Sequence, residues 1–256
     1  MEIDEQALQD AADKVLGKRL RAIAERAVLR RAFKLDYKTV YKLLDDSPFI
    51  LAGGALCADK VNDYDLYPVE GQPFDWYKIE CKLEEMRGKT LFHSANALTT
   101  ELPNGQVVQF CSYHKPTLKE LVQSFDFTHI QAGIQFIGHG EDPSSDDVYV
   151  TGEFVAASVS GRTQYDGSEY PFSSLIRAGK YQARGRLTRI EAARTSARIL
   201  DDILKRGFKD YADFKDQMDA IDLGMDESAE ASNLWDTARK RGLVEDDCHS
   251  EDHEPF

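Results

Sequence analysis

The segment Leu51-Ala-Gly-Gly-Ala-Leu-Cys-Ala-Asp-Lys-Val-Asn-Asp63-Tyr64-Asp65-Leu66 brings together two kinds of residue that phosphate chemistry needs. Gly53 and Gly54 end a short apolar run, Phe49-Ile-Leu-Ala, and without a Cβ they let a ligand come close to the backbone. If a helix begins there, its unsatisfied N–H groups and dipole suit phosphate oxygens. Asp63 and Asp65 follow, two residues apart. In a strand that spacing puts both carboxylates on one face and turns Tyr64 to the other. Magnesium takes one or two protein carboxylates and fills its remaining positions with water and substrate phosphates. Asp63 and Asp65 are therefore the candidate metal-binding and catalytic residues, with Gly53 and Gly54 on the nucleotide phosphates. In such sites metal ions stabilise the attacking and leaving oxygens of an in-line phosphoryl displacement. Gly-Gly alone is a turn, and Asp-x-Asp alone is often surface decoration. Strand, Gly-Gly and Asp-x-Asp in that order are considerably more specific.

Arg177, Lys180 and Arg184 form a second constellation, spaced three, four and seven apart in an apparent helix, so that they share one face. Such cations can meet a nucleoside triphosphate or the backbone of an acceptor, arginine gripping phosphate through two nitrogens. In the bland alternative they are a solvated stripe. Tyr64, Tyr67 and Trp76, near the acidic pair, could stack a base or simply belong to the core. His93, His114, His129 and His139 show no metal-ligand spacing and read as packed or surface histidines; Cys248-His249 with His253 is a weak metal candidate in an acidic tail.

The elements that position these groups fall into an α+β order. Residues 1–46 read as a helical segment in which Leu16, Leu20, Ile23 and Ala27 recur at helical spacing. Residues 47–165 read as a mixed α/β core. Within it, strands at 49–52 and 64–67 precede a helix at 74–87. Strands at 95–102 and 106–113 then flank Pro103-Asn104-Gly105, a hairpin signal. A helix over 117–125 opens on a Thr117 cap with Glu120 three residues on, and further strands are expected over 127–136 and 148–154. Residues 166–244 read as helical, and 245–256 as an acidic, disordered tail.

Composition narrows the function class. The 256 residues are 42% hydrophobic and 30% charged, as in a globular protein with a core. The opening Met-Glu-Ile-Asp-Glu lacks the basic and apolar regions of a signal peptide, and no apolar run approaches the ~20 residues of a membrane span. A cytoplasmic, soluble protein is the expectation, and its four scattered cysteines read as reduced thiols. The net charge of −13 is uneven: Lys14 to Lys42 carries ten Lys/Arg, Arg177 to Arg198 seven, while residues 201–256 carry 17 Asp/Glu against 7 Lys/Arg. Basic stretches on an acidic protein can still attract a polyanion, because screening acts over roughly 8 Å. The oligomeric state leaves no mark on the sequence.

The Gly-Gly…Asp-x-Asp-apolar pattern resembles the signature of polymerase-β-type nucleotidyltransferases. Phe125-Asp-Phe-Thr-His-Ile-Gln-Ala132 and Leu175-Ile-Arg-Ala-Gly-Lys-Tyr-Gln-Ala-Arg184 resemble, in the same order, segments of CCA-adding enzymes and bacterial poly(A) polymerases, so the resemblance spans about residues 48–186. Nucleotidyltransferase-like proteins of large DNA viruses and phages are more similar still, sharing Ser94-Ala-Asn-Ala97, Val108-Gln-Phe110 and the Phe-Asp-Phe segment. The resemblance implies a nucleotidyltransferase-type sheet flanked by helices. It also implies Mg2+ as cofactor, a nucleoside triphosphate (ATP among them) as substrate, and a hydroxyl acceptor, an RNA 3′ end such as that of a tRNA being favoured. It further implies a third carboxylate beside the acidic pair. The neighbouring strand offers Gln109 there, which leaves Asp126 and Glu101 as candidates. Phe125 stands where the CCA-adding pattern has arginine, and the residue pair that reads base identity in those enzymes is not recognisable. A catalytically silent nucleotidyltransferase fold used for binding is the competing expectation.

Overall fold

Alternating apolar residues build a seven-stranded mixed sheet with helices packed on both of its faces. The computed structural model describes residues 5–58, 61–69, 73–93, 96–113, 115–138 and 141–219. These fall in two compact units, Met1–Gln164 and Tyr165–Phe256. The expected α+β class is what the structure shows.

In the first unit, helices α1 (Glu5–Ala32) and α2 (Tyr37–Leu43) precede strand β1 (Phe49–Ala52) and a 3-10 turn at Gly54–Leu56. Strand β2 (Tyr64–Pro68), helix α3 (Trp76–Glu85) and strands β3 (Lys89–His93), β4 (Ala97–Glu101) and β5 (Val107–Cys111) follow. Helix α4 (Leu118–Gln123), β6 (Ala132–Phe136), β7 (Val148–Val150) and helix α5 (Gly152–Ser160) complete the unit. The sheet order is β3-β4-β5-β2-β1-β6-β7. β2 and β5 run parallel, and the other paired neighbours run antiparallel. A parallel pair needs a long crossover, here supplied by α3, β3 and β4 between β2 and β5.

One sheet face is apolar. Tyr64, Leu66, Val108, Phe110, Leu98, Leu51, Phe49, Ile134 and Phe136 are buried in the main core. Phe49 and Phe136 stack with centroids 4.5 Å apart, edged by Tyr41. On the other face α4 lies close over the sheet: a Cβ at Gly133 would stand 2.7 Å from Leu118 Cδ1 and 2.8 Å from Val122 Cγ2. Gly133→Ala is therefore expected to cost about 1–3 kcal/mol by overpacking, read as a lower urea midpoint at unchanged slope.

Several local expectations shift. The buried stripe of α1 is Ala24, Val28 and Ala32, whereas Leu16 and Ile23 of the expected stripe are 55% and 54% exposed. The cause is packing: the closing turns of α1 meet β6, β7 and α5, and this contact selects the small residues. The expected strand over 127–136 begins with a 3-10 turn at Thr128–Ile130, leaving β6 to start at Ala132. The expected strand over 148–154 stops at Val150, because the Thr151 side chain accepts from the Phe154 amide and starts α5. β3 carries no sequence alternation, all five of its residues being exposed at the sheet edge. The Asn104-Gly105 hairpin and the Thr117 cap form as expected, with Gly105 at φ +83° and Thr117 Oγ1 accepting from Glu120 N at 3.1 Å.

The second unit contains α6 (Pro171–Ala183), α7 (Arg189–Arg206) and α8 (Tyr211–Asp219). Phe208 stacks on Phe172 with centroids 5.7 Å apart, and Phe214 meets Phe208 edge-on. The helical reading beyond 219 and the acidic tail at 245–256 lie outside the described residues. No helix among the described residues is long and apolar enough to cross a membrane.

Candidate functional site

The Gly53-Gly54 turn is built by backbone requirements before any ligand is considered. Gly53 sits at φ +83° and ψ −139°, a region open in practice only to glycine. Its amide donates to Ala132 O of β6 at 3.0 Å, so Gly53 serves the site by its missing side chain and not as a donor. The chain then makes a single 3-10 turn, Gly54–Leu56, where a longer helix was one expectation. The amides of Gly54 and Ala55 open that turn and have no acceptor among the described residues. Gly53→Ala is expected to lower stability by about 1–2 kcal/mol through backbone strain, measured by denaturant titration. Gly54→Ala serves as the control there, since nothing lies within 4 Å of a Cβ on Gly54.

Strand register sets the carboxylates. Thr99, Gln109, Asp65, Ala52 and Gly133 are successive partners across β4, β5, β2, β1 and β6, and so share one face. Tyr64 points the other way and is 7% exposed; burial pushes its phenol pKa up. Asp65 is half-buried and Asp63, just ahead of the strand, is exposed. Asp65 Oδ2 lies 3.7 Å from the point where a Gly53 side chain would begin, which joins glycine turn and acidic strand in one place.

The other two carboxylate candidates come from elements other than β2. Glu101 shares the sheet face but lies on β4, separated from β2 by the whole of β5, and its carboxylate pairs with Lys89 at 3.0 Å. Asp126 is 2% exposed in the turn after α4. Among the described residues no three His, Cys, Asp or Glu side chains are gathered to hold a metal ion. Directly beside Asp65 stands Gln109, whose Nε2 donates to Thr99 Oγ1 at 3.1 Å.

Arg177, Lys180 and Arg184 are exposed along α6 and its closing cap, while Ala178 and Tyr181 of the same helix are buried. Of the aromatic candidates, Tyr64 belongs to the core. Trp76 packs edge-on against His93 at 4.9 Å, and Tyr67 lies on the Asp65 face. His129 is buried, its Nδ1 2.7 Å from Thr163 Oγ1, as a packed histidine. His114, His139, Cys248, His249 and His253 lie outside the described residues, as does Ser94.

Two residues near the site were not among the site candidates. Phe125 ring atoms Cε2 and Cζ approach the Gly53 position to 4.0 Å, and buried Gln131 donates to the Phe125 carbonyl at 3.1 Å. The sequence marked the Phe125–Ala132 segment by its resemblance, and Phe125 as a departure from it, but gave neither residue a place beside Gly53.

No protein-family model matches the chain, and no curated protein matches it significantly. Among solved structures it is similar to the Thermotoga maritima CCA-adding enzyme complexed with tRNA, at 14% identity and a TM-score of 0.47, over 85% of this chain and 54% of that one. A CCA-adding enzyme in complex with CTP is similar at 15% identity and a TM-score of 0.47, covering 83% of this chain and 52% of the other. A tRNA-processing enzyme with CTP is similar at 16% and 0.43, covering 80% and 57%. The chain spans about half the length of these structures.

Proposed function

We propose that the chain is a magnesium-dependent nucleotidyltransferase that moves a nucleoside monophosphate from a nucleoside triphosphate to a hydroxyl, releasing pyrophosphate. The observation that carries this reading is the juxtaposition at Gly53: a side-chain-free position 3.7 Å from Asp65 Oδ2, followed at once by the amides of Gly54 and Ala55, which have no acceptor among the described residues. Asp63 and Asp65 are the metal ligands in this reading. Two half-open carboxylates suit magnesium, which keeps places for water and phosphate oxygens. Bound magnesium supplies charge neutralisation and makes a coordinated oxygen more acidic. The residues of the chain bind and orient. The Gly54 and Ala55 amides hold β- or γ-phosphate oxygens, and Gly53 lets the nucleotide come close to Asp65. The acceptor oxygen attacks the α-phosphorus, the bond to the β-phosphate oxygen breaks, and the acceptor proton leaves to solvent or a basic oxygen.

An RNA 3′ end is the acceptor we favour, on the motif resemblance over residues 125–132 and 175–184 and on the exposed cations Arg177, Lys180 and Arg184. Incubation with magnesium, labelled nucleoside triphosphates and total RNA is expected to transfer label to RNA. Absence of both transfer and magnesium-dependent triphosphate binding would refute the reading. Gln109 favours a second reading: a neutral side chain, engaged by Thr99, stands beside Asp65 where a third carboxylate is expected, as in a fold retained for binding alone. Triphosphate binding without label transfer to any hydroxyl acceptor supports that alternative.

A further inference from the structure

Phe125 borders the Asp65 niche, and nucleotidyl transfer as described above assigns it nothing to do. A Cβ on Gly53 would stand 3.7 Å from the Asp65 carboxylate and 4.0 Å from the Phe125 ring, so both groups border this glycine. Tyr67, two residues beyond Asp65 on the same face, extends the aromatic wall; its ring centroid lies 6.0 Å from that of Phe125 with the planes at 52°. Both rings are half-buried and rest on Ile50, Ala52 and Leu121. The wall is held from behind. Gln131 is 1% exposed, donates to the Phe125 carbonyl at 3.1 Å and accepts from Thr151 Oγ1 at 2.9 Å. With the backbone held in this way and the ring packed on that cluster, less remains for the ligand to order, which lowers one cost of binding.

A phenyl ring offers a phosphate oxygen neither positive charge nor a hydrogen bond, whereas its face and edge suit a flat ring. We propose that Phe125 and Tyr67 form the nucleobase-binding wall of this site, so that the base of the nucleoside triphosphate lies beside Gly53 and its phosphates run toward Gly54 and Ala55. The proposal rests on Asp63 and Asp65 being a magnesium–nucleotide site, and it adds a polarity to the bound nucleotide that the acidic pair alone does not define.

Calorimetry on the full chain with magnesium compares two probes, a nucleoside triphosphate and inorganic tripolyphosphate, against wild type, Phe125→Leu and Phe125→Tyr. Stacking on an aromatic side chain contributes on the order of ten-fold in affinity. Phe125→Leu, which keeps an apolar side chain on the Ile50–Leu121 cluster, is expected to bind the nucleoside triphosphate about ten-fold more weakly and tripolyphosphate unchanged. Phe125→Tyr, which keeps the ring, is expected to stay near wild type for both. A Phe125→Leu protein that binds both probes as wild type does, or loses both equally, overturns the wall while leaving the magnesium–phosphate site standing. A wild type that binds neither probe overturns both.

Discussion

Replacing Asp63 and Asp65 together by alanine is expected to abolish magnesium-dependent nucleotide binding and any label transfer, while leaving the protein as stable as wild type. The loss is expected to be complete because the described residues offer no third carboxylate grouped with the pair to hold the ion. Stability should hold because Asp63 is exposed, and Asp65 is half-buried on the sheet face opposite the core that Tyr64 and Leu66 enter. Two like charges at close quarters also repel when no cation lies between them. Calorimetry with magnesium and nucleoside triphosphate, beside a urea titration, reads both halves. Binding at wild-type strength would move the site elsewhere; a fall in stability of more than about 1 kcal/mol would make the pair structural. Gln109→Glu extends the test, since it adds a carboxylate beside Asp65 on the next strand. Tighter magnesium binding is expected from it if Asp65 is a ligand.

Neutralising Arg177, Lys180 and Arg184 together is expected to weaken RNA binding by about 100-fold or more at low salt, since each charge-assisted phosphate contact contributes about 1.5–3 kcal/mol. The clearer sign is the salt slope. Three lost contacts to a single strand should lower the log–log slope of affinity against salt by about two. The three side chains are exposed along α6 and its cap, and the buried Ala178 and Tyr181 are left in place, so the substitutions remove no buried side chain. A solvated stripe with no ligand predicts unchanged affinity and an unchanged slope. Triphosphate binding measured on the same variant separates the two polyanions. A loss for the triphosphate, much smaller for a nucleoside without phosphates, assigns these cations to the nucleotide, whereas a loss confined to RNA assigns them to the acceptor.

Local chemistry was legible wherever a residue's neighbours in sequence decide its conformation. Alternation put Tyr64 and Asp65 on opposite faces, Asn104-Gly105 made a hairpin, and Thr117 capped α4, because strand periodicity, left-handed backbone and side-chain capping act over two to four residues. The glycine pair and the acidic pair could likewise be singled out from residue type and spacing. What lies against them could not. The buried stripe of α1 passed to Ala24, Val28 and Ala32 because β6, β7 and α5 come close to that side, a matter of which elements meet. Gln109 stands beside Asp65 through a parallel pairing of strands more than 40 residues apart, and Glu101 falls one strand too far through the same sheet order. Phe125 reaches Gly53 from the turn after α4, steered by a hydrogen bond from buried Gln131. Each of these depends on long-range register and packing, in which a side chain's place is set by partners that no local window of sequence contains.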